Sequence, residues 1–304
     1  MNLRELEVLA LDCQSTGANP RHGHLLEIAW SRGRAGAPSW SSIASHLVRL
    51  PRGQRVPARI RKLTGIQQED MVEALPPPAV RRRLEADLGP SVAVAHFARF
   101  ESTFLDALCR GRFPLDLVCT HEIACRLLPG LPRRGLRALA GYLGHSMGES
   151  KRAGHHVEAT VAVWRALVER LADEGVTTLR ELYDWMERVP PRRTGGREYP
   201  LPRERRLAVP DAPGVYRFLG KRGDVLYIGK ATSLKARVNS YFRQRRHSIE
   251  RTPELLTRAF DVAVTVTPTA LEAALAETDA IKEETPPYNV ALRRMDVHFA
   301  SPDF

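Results

Sequence analysis

The stretch VLYIGKATSLKARVNSYF, residues 225–242, reads first as a strand and then as a helix. VLYIG alternates like a short strand, and the preceding GVYRFL is a second strand joined to it by the turn-forming GKRGD. Thr232 or Ser233 can cap the helix that follows. The core stripe of this helix recurs every four residues, as Leu234, Val238 and Phe242. The stretch therefore predicts a β-hairpin that runs directly into a helix.

Ionisable side chains border this small apolar core. Tyr216 and Tyr227 lie in the two predicted strands, and Lys230 lies just before the helix. Arg237 and Tyr241 are four residues apart, so they share one face of the helix. We expect these groups to converge near the hairpin.

A second helix is predicted over TALEAALAETDAIKEE, residues 269–284, where Thr269 and Glu272 have capping-box spacing. Its predicted inner stripe is Leu271, Leu275, Thr278 and Ile281. Glu277 lies at the edge of that stripe. A carboxylate there can hold one hard cation while water fills most of the remaining coordination sphere, although a lone glutamate is also typical of a solvated helix face.

Together these features resemble the GIY-YIG nuclease family, particularly the N-terminal domain of the UvrC-type excinuclease of bacteria. The resemblance covers residues 210–292 and rests on PGVY, LYIGKATSLKARVNSYF, the ALAETDAIK helix and PPYNVALRR, in the family's order and spacing. It implies a small α/β domain that cuts DNA phosphodiester bonds with one Mg²⁺ or Mn²⁺ ion.

The resemblance also implies a role for each residue of the pattern. Tyr227 is the expected general base, assisted by Tyr216. Lys230 is expected to lower the cost of the phenolate, since tyrosine's reference pKa is near 10.

The remaining residues of the pattern are expected to handle the phosphate and the metal. Arg237 is expected to hold the scissile phosphate through its planar fork, and Tyr241 to position a phosphate oxygen. Glu277 is the expected metal ligand, with the ion acting as a Lewis acid toward the leaving oxygen. Gly229 and Asn289 are expected to support the local backbone.

The first half of the chain predicts another α/β domain. EVLALD and GHLLEIAW are expected to form a hairpin, SVAVAHF a third strand, and ESTFLDALCRG a helix that stops at Gly111. A long amphipathic helix follows in VEATVAVWRALVERLADEG. Its predicted stripe is Val161, Trp164, Leu167, Val168 and Leu171.

Over about residues 6–170 the chain resembles the exonuclease family of the DNA polymerase III proofreading subunit. The matching segments are LALDCQSTG, RKLTGIQQEDM, VAVAHFARFESTFL and HHVEATVAVW. The resemblance implies an RNase H-like fold, a mixed sheet with flanking helices. Such enzymes hold two divalent ions with acidic side chains and use a histidine to activate water.

The site residues of that family are only partly present. Asp12 remains, whereas Gln14 stands where the family has glutamate. Glu101 replaces an aspartate and Phe97 replaces an asparagine. Two such ions bring four positive charges, which these carboxylates neutralise poorly.

The last motif allows two alignments. Aligning on VEAT puts His156 where the final aspartate belongs, while aligning His155 as the general base puts Thr160 there. Either way that acid is missing, unless Glu158 substitutes for it. The two histidines are also typical of a surface pair at a helix start. We expect a catalytically impaired domain whose groove still binds a single strand or a DNA end.

A length of 304 residues favours two domains. We expect an exonuclease-like domain over 1–172, a helix and basic linker over 173–206, a nuclease domain over 207–295 and a tail over 296–304. The formal net charge of +11 is consistent with a polyanionic partner, although Arg-rich composition alone does not establish one. The arginines expected to contact nucleic acid are Arg192, Arg193, Arg243, Arg245 and Arg246.

The four cysteines show no Cys-x-x-Cys pair and no zinc-ligand spacing, which suits a reducing cytoplasm. No apolar run approaches the roughly 18 residues of a membrane span. We therefore expect a cytoplasmic DNA-processing enzyme that makes repair-type incisions, with DNA and repair proteins as partners. The alternatives are a bifunctional exonuclease and endonuclease, or a DNA-binding protein without catalysis.

Overall fold

The computed structural model describes residues 1–90, 92–145, 147, 152–191, 196–243 and 251–289. These residues divide into two compact units. Unit 1 consists of residues 1–129 and 134–191, and unit 2 of residues 130–133 and 196–289. Within these ranges, every helix is too short or too polar to cross a membrane.

Unit 1 is built on a mixed sheet. Its strands are β1 (Glu7–Ser15), β2 (Leu25–Arg34), β3 (Ala44–Leu47), β4 (Val92–Ala95) and β5 (Asp116–Cys119). The strand order is β3-β2-β1-β4-β5; β1 to β3 pair antiparallel, and β4 and β5 continue parallel to β1. The predicted fold class, first hairpin and third strand are confirmed.

Helices lie on both faces of this sheet. They are α1 (Ala58–Thr64), α2 (Pro77–Ala86), α3 (Ala98–Cys109), α4 (Thr120–Leu127), α5 (Leu136–Leu143), α6 (Ala153–Asp173) and α7 (Leu179–Arg188), with a 3₁₀ turn at Glu69–Glu73. Leu9 and Leu11 of β1 pack in the core that α2 and α3 share. Ala10 packs on the opposite side against Val157 of α6. Because side chains alternate along a strand, Asp12 belongs to the α6 side.

Helix α3 differs from its predicted limits. It begins at Ala98, and Arg110 rather than Gly111 closes it. Arg110 has a φ of 56°, the left-handed conformation that commonly ends helices, and the amide of Gly111 donates to the Asp106 carbonyl. The predicted glycine stop is therefore wrong by one residue, because a non-glycine residue takes the left-handed position.

Unit 2 contains a smaller, wholly antiparallel sheet. Its strands are β6 (Gly214–Leu219), β7 (Val225–Ala231) and β8 (Asp261–Val266), in the order β7-β6-β8. Its helices are α8 (Arg203–Leu207), α9 (Leu234–Ser240), α10 (Arg251–Arg258) and α11 (Ala270–Glu284). The predicted hairpin of β6 and β7 is confirmed, and the Ser233 hydroxyl caps α9 by accepting from the Ala236 amide.

Two of the predicted core residues of α11 lie outside the core. Leu271 and Leu275 are 72% and 61% exposed, whereas the buried residues of α11 are Ala273, Ala280 and Ile281. Ala280 and Ile281 pack on Val215 and Ile228 of the sheet. The prediction is thus right for Ile281 and wrong for the two leucines, because the helix turns its small alanine face toward the strands.

The end of the predicted linker is part of unit 2. Leu201 is buried in the core of this unit, and the short helix α8 follows it. The Arg206 guanidinium lies 4.0 Å from the ring centroid of Phe242, a cation–π contact. Although α9 ends at Ser240, Phe242 still packs against the core from the following turn. The basic composition of this segment suggested a linker, whereas residues 201–207 are folded onto unit 2.

Candidate active sites

Three tyrosines form a triangle in unit 2. The ring centroids of Tyr216, Tyr227 and Tyr241 are 6.1 to 6.2 Å apart. The hydroxyl oxygens of Tyr216 and Tyr241 are 2.8 Å apart, a hydrogen-bond distance. Tyr216 is fully buried. The sequence pattern thus brings together residues separated by up to 25 positions.

Burial keeps these phenols protonated. It raises the pKa of Tyr216 to about 12, and burial together with the neighbouring Tyr241 raises the pKa of Tyr227 further above its ordinary value. Burial followed by the charge of Tyr216 raises the pKa of Tyr241. An opposing cation is therefore needed before any of them can lose a proton at neutral pH.

Arg237 is the cation beside the tyrosines. Its guanidinium carbon lies 5.4 Å from the ring centroid of Tyr241, and a hydrogen bond with Tyr216 raises the pKa of the guanidinium. The charge of Arg237 in turn favours the ionised forms of Tyr216 and Tyr227, against the larger effect of burial. We name these four residues, Tyr216, Tyr227, Arg237 and Tyr241, the tyrosine–arginine cluster.

Lys230 pairs with Glu277 rather than with a tyrosine. Its Nζ lies 3.0 Å from Glu277 Oε2, and its backbone amide donates to Glu277 Oε1 at 3.0 Å. Arg237 is the cation whose charge favours the Tyr227 phenolate in this arrangement, and the role expected of Lys230 stays a prediction. Lys230 pairs with Glu277 because the nearby carboxylate is the stronger partner for an ammonium group.

The cluster and the carboxylate meet at Gly229–Lys230. Gly229 is the cross-strand partner of Tyr216, and a Cβ on Gly229 would collide with the Tyr216 hydroxyl. The next amide along β7, that of Lys230, binds Glu277. The phenol and the carboxylate therefore both contact the same dipeptide, and the missing side chain of Gly229 makes this close approach possible.

Asn289 fixes the backbone just before this dipeptide. Its side-chain oxygen accepts from the Ile228 amide at 2.9 Å, and its side-chain nitrogen donates to the Ile228 carbonyl at 2.8 Å. The amide group pairs with β7 as another strand would. Its burial makes both bonds costly to lose.

The donor set of unit 2 suits one divalent cation. Glu277 supplies a carboxylate whose side chain is 13% exposed, so water can complete the coordination. Mg²⁺ usually keeps several waters and needs only one or two carboxylates. In the described ranges, no three His, Cys, Asp or Glu side chains are grouped for metal binding. Glu277 can thus hold one hydrated ion together with a substrate phosphate, whereas an all-protein cage is not formed.

In unit 1, protein donors already satisfy both oxygens of Asp12. Gln14 Nε2 donates to Oδ2 at 2.7 Å, and His156 Nδ1 lies 3.1 Å from Oδ1. The structure therefore places His156 beside Asp12. His155 and Glu158 are exposed, and Thr160 is fully buried with no partner for its hydroxyl among the described residues.

Glu101 is buried next to Asp12. Its Oε2 accepts from the backbone amide of Cys13 at 2.8 Å. Burial, and then the charge of Asp12, raise the pKa of the Glu101 carboxyl well above its ordinary value. Asp12 and Glu101 thus disfavour each other's ionisation, and two carboxylates provide little charge for a two-ion centre.

One residue that organises this site was missing from the sequence expectations. Glu27 of β2 is buried, accepts from the Ala153 amide at 2.8 Å and pairs with Arg152 at 2.7 Å. It thereby anchors the first turn of α6 opposite Gln14, its strand partner. The available signal was a carboxylate inside the apolar strand LLEIAW.

The structure describes one of the five arginines that are predicted to contact nucleic acid. Arg243 is exposed just after the turn that follows α9. The other four predicted arginines lie outside the described residues: Arg192, Arg193, Arg245 and Arg246.

Family models match both halves of the chain. The exonuclease family matches residues 9–156, and the UvrC-like GIY-YIG domain family matches residues 212–290. Among solved structures, the GIY-YIG N-terminal endonuclease domain of UvrC from Thermotoga maritima, bound to magnesium, is 35% identical. It covers 29% of this chain and 94% of that domain, with a TM-score of 0.27. Exonuclease X bound to 5′-overhanging duplex DNA is 21% identical over 59% of this chain and 99% of its own, with a TM-score of 0.46.

Two relatives by sequence match nearly all or part of this chain. A Mycobacterium tuberculosis protein, named as a candidate bifunctional exonuclease/endonuclease, is 31% identical over 95% of this chain and 45% of its own length. UvrABC system protein C of a Psychrobacter species is 51% identical over 28% of this chain and 14% of its own. The chain thus spans less than half of each of these relatives. Its first half is therefore similar to the exonuclease family, and its second half to UvrC-like GIY-YIG domains.

Proposed function

We propose that unit 2 is a metal-dependent DNA endonuclease that hydrolyses phosphodiester bonds. The observation that carries this proposal is the meeting of the tyrosine–arginine cluster with Glu277 at Gly229–Lys230. Phosphodiester hydrolysis needs a base, a cation for the phosphate charge and help for the leaving oxygen. The site offers a phenol, a guanidinium and a metal-binding carboxylate for these three tasks.

Each residue of the site has a distinct task in this proposal. Tyr227 accepts the proton of the attacking water, and its hydroxyl network with Tyr216 and Tyr241 orients it. Arg237 binds two phosphate oxygens through its fork, and Tyr241 positions another. Lys230, released from Glu277 or shared with it, adds a second positive charge at the same end of β7.

Glu277 would hold one Mg²⁺ or Mn²⁺ ion, and that ion would supply Lewis-acid stabilisation of the leaving 3′ oxygen. Solved UvrC domains bound to magnesium support this choice of cation class. The names of the relatives support nucleic acid as the substrate. Within this proposal the nucleic acid is DNA and the role is repair-type incision. Repair proteins are the partners that this assignment implies.

Arg237→Ala should slow the nicking of supercoiled plasmid by about 10- to 100-fold. The lost charge-assisted hydrogen bonds are worth about 1.5 to 3 kcal/mol in the transition state. Arg222→Ala removes an equal charge from the exposed hairpin turn of the same unit and should have little effect. Equal nicking rates for the parent and Arg237→Ala in Mg²⁺ and Mn²⁺ would remove Arg237 from the site.

We also propose that unit 1 mainly binds nucleic acid and has lost exonuclease catalysis. The few carboxylates at this site support this assignment, because Asp12 and Glu101 disfavour each other's ionisation and together offer less negative charge than two divalent ions need. The species that unit 1 binds in this proposal is a single strand or a DNA end.

The Glu277→Gln protein, whose endonuclease site is disabled, should release no nucleotides from a 3′-labelled strand in Mg²⁺ or Mn²⁺. Gel analysis of the labelled products over several hours measures this. Steady 3′ trimming that disappears on further Asp12→Asn substitution would instead establish a bifunctional nuclease.

A further inference from the structure

An exposed aromatic ring stands at the edge of the unit 1 site. Phe97 is 48% exposed, among the largest apolar exposures of this unit. It occupies the connection between β4 and α3, directly before the first helical residue. A phenylalanine that served only the core would be buried in this position.

The backbone of Phe97 is also in an unfavourable conformation. Its φ of 63° and ψ of 48° lie in the left-handed region, which bulky side chains rarely adopt. Asparagine or glycine would accept this conformation at lower cost. Strained residues of this kind concentrate at functional sites, where their placement matters more than local stability.

The ring of Phe97 is held by two histidines. Its centroid lies 4.5 Å from that of His121, with the planes tilted by 37°, and 4.7 Å edge-on from that of His96. His96 is buried and hydrogen-bonds Thr120 and the Arg134 carbonyl. Burial lowers the pKa of His96 to about 3. The imidazole of His96 is therefore neutral, which suits its contact with the apolar ring of Phe97. Phe97 is therefore a fixed platform rather than a mobile side chain.

This platform lies next to the carboxylate site. Phe97 directly precedes α3, the helix that carries the buried Glu101 beside Asp12. His96 is also close enough to His156 for the two rings to interact electrostatically. Arg134 supplies positive charge near the ring of His121. Burial lowers the pKa of His121 most, and the charge of Arg134 lowers it further.

We propose that Phe97, backed by His121, stacks on one unpaired nucleobase of a strand bound by unit 1. A nucleobase fits the ring's flat apolar surface, while its phosphate suits the neighbouring positive charge. The inference rests on the proposed nucleic-acid binding by unit 1 and specifies the part of the strand that is recognised. A phenylalanine in place of the family's asparagine would thus exchange a polar contact for a stacking contact.

The test uses the full-length chain in EDTA, so that no strand is cut, and a fluorescein-labelled 12-nucleotide single strand. Phe97→Ala should weaken binding by about 5- to 100-fold, the loss expected for one stacked base. Phe97→Asn should weaken it similarly while keeping the left-handed backbone, whereas Phe97→Trp should retain binding. Tyr183→Ala, which removes an exposed aromatic ring from α7, is the matched control and should bind as the parent does.

An abasic strand of the same length separates base contacts from phosphate contacts. It should bind the parent and Phe97→Ala chains equally. If the parent binds the normal strand and Phe97→Ala binds it equally well, the stacking role of Phe97 is overturned and the binding role of unit 1 stands. A parent chain that binds no single strand overturns both this inference and the binding role of unit 1; the nicking assay still tests unit 2. An aromatic or proline-rich peptide that competes better than the strand would identify a protein ligand and also overturn the inference.

Discussion

Glu277→Gln should lower the rate of DNA nicking by about 1,000-fold. Lewis-acid stabilisation of the leaving oxygen is worth several kcal/mol, and about 4 kcal/mol corresponds to this factor. The substituted amide keeps an oxygen that can accept from the Lys230 backbone amide, so the local fold should persist. The amide has no negative charge, however, so it binds a hard cation much more weakly than the carboxylate does.

Nicking of supercoiled plasmid over a range of Mn²⁺ and Mg²⁺ concentrations measures this effect. Glu283→Gln is the matched control, because Glu283 is exposed on the same helix and the substitution removes the same charge. Thermal melting of both variants would show whether folding is preserved. A rate for Glu277→Gln within a few-fold of the Glu283→Gln rate would contradict the assignment of the metal ligand.

The sequence predicted the part of the site that depends on strand and helix periodicity. Tyr216 and Gly229 face each other because the hairpin register pairs them, and the turn-forming GKRGD between the two strands was enough to expect that hairpin. Arg237 and Tyr241 share a face because they are four residues apart. Such local rules bring side chains together without knowledge of the remaining fold.

The partner of Lys230 could not be predicted in this way. The family resemblance implied a role for Lys230 near Tyr227, whereas the ammonium group binds Glu277, 47 positions away. The orientation of α11 was hidden for a related reason. Leucines at helical spacing usually mark the buried stripe, but here the alanine face contacts β6 and β7 because small side chains permit close packing.

In unit 1, the ambiguous alignment of the last motif reflects two adjacent histidines at the start of one helix. Adjacent residues point about 100° apart around a helix, so only one can face the carboxylate site. The anchoring of α6 by Glu27 turns His156 toward Asp12 and leaves His155 exposed. That choice depends on a contact between distant strands and helices, which a local motif cannot specify.

The nicking rate of the parent should rise about tenfold per pH unit between pH 7 and pH 9. Tyr227→Phe should lower the rate by about 10²- to 10⁴-fold and remove its dependence on pH. Only the deprotonated phenol can accept a proton. Because burial and the neighbouring Tyr241 raise the pKa of Tyr227, the phenolate is a small fraction of the protein throughout this range. Below the pKa, that fraction increases about tenfold with each pH unit.

Initial nicking rates in a constant-ionic-strength buffer series, with saturating Mn²⁺, measure the slope. Tyr199→Phe is the matched control, since Tyr199 contacts Phe242 and Arg206 in the same unit but not the tyrosine triangle. Ionisation of water at the metal can also give a rising profile. The Tyr227→Phe protein separates the two sources. A flat, slow pH profile assigns the proton transfer to the Tyr227 phenol. An unchanged slope at an unchanged rate assigns it to another group.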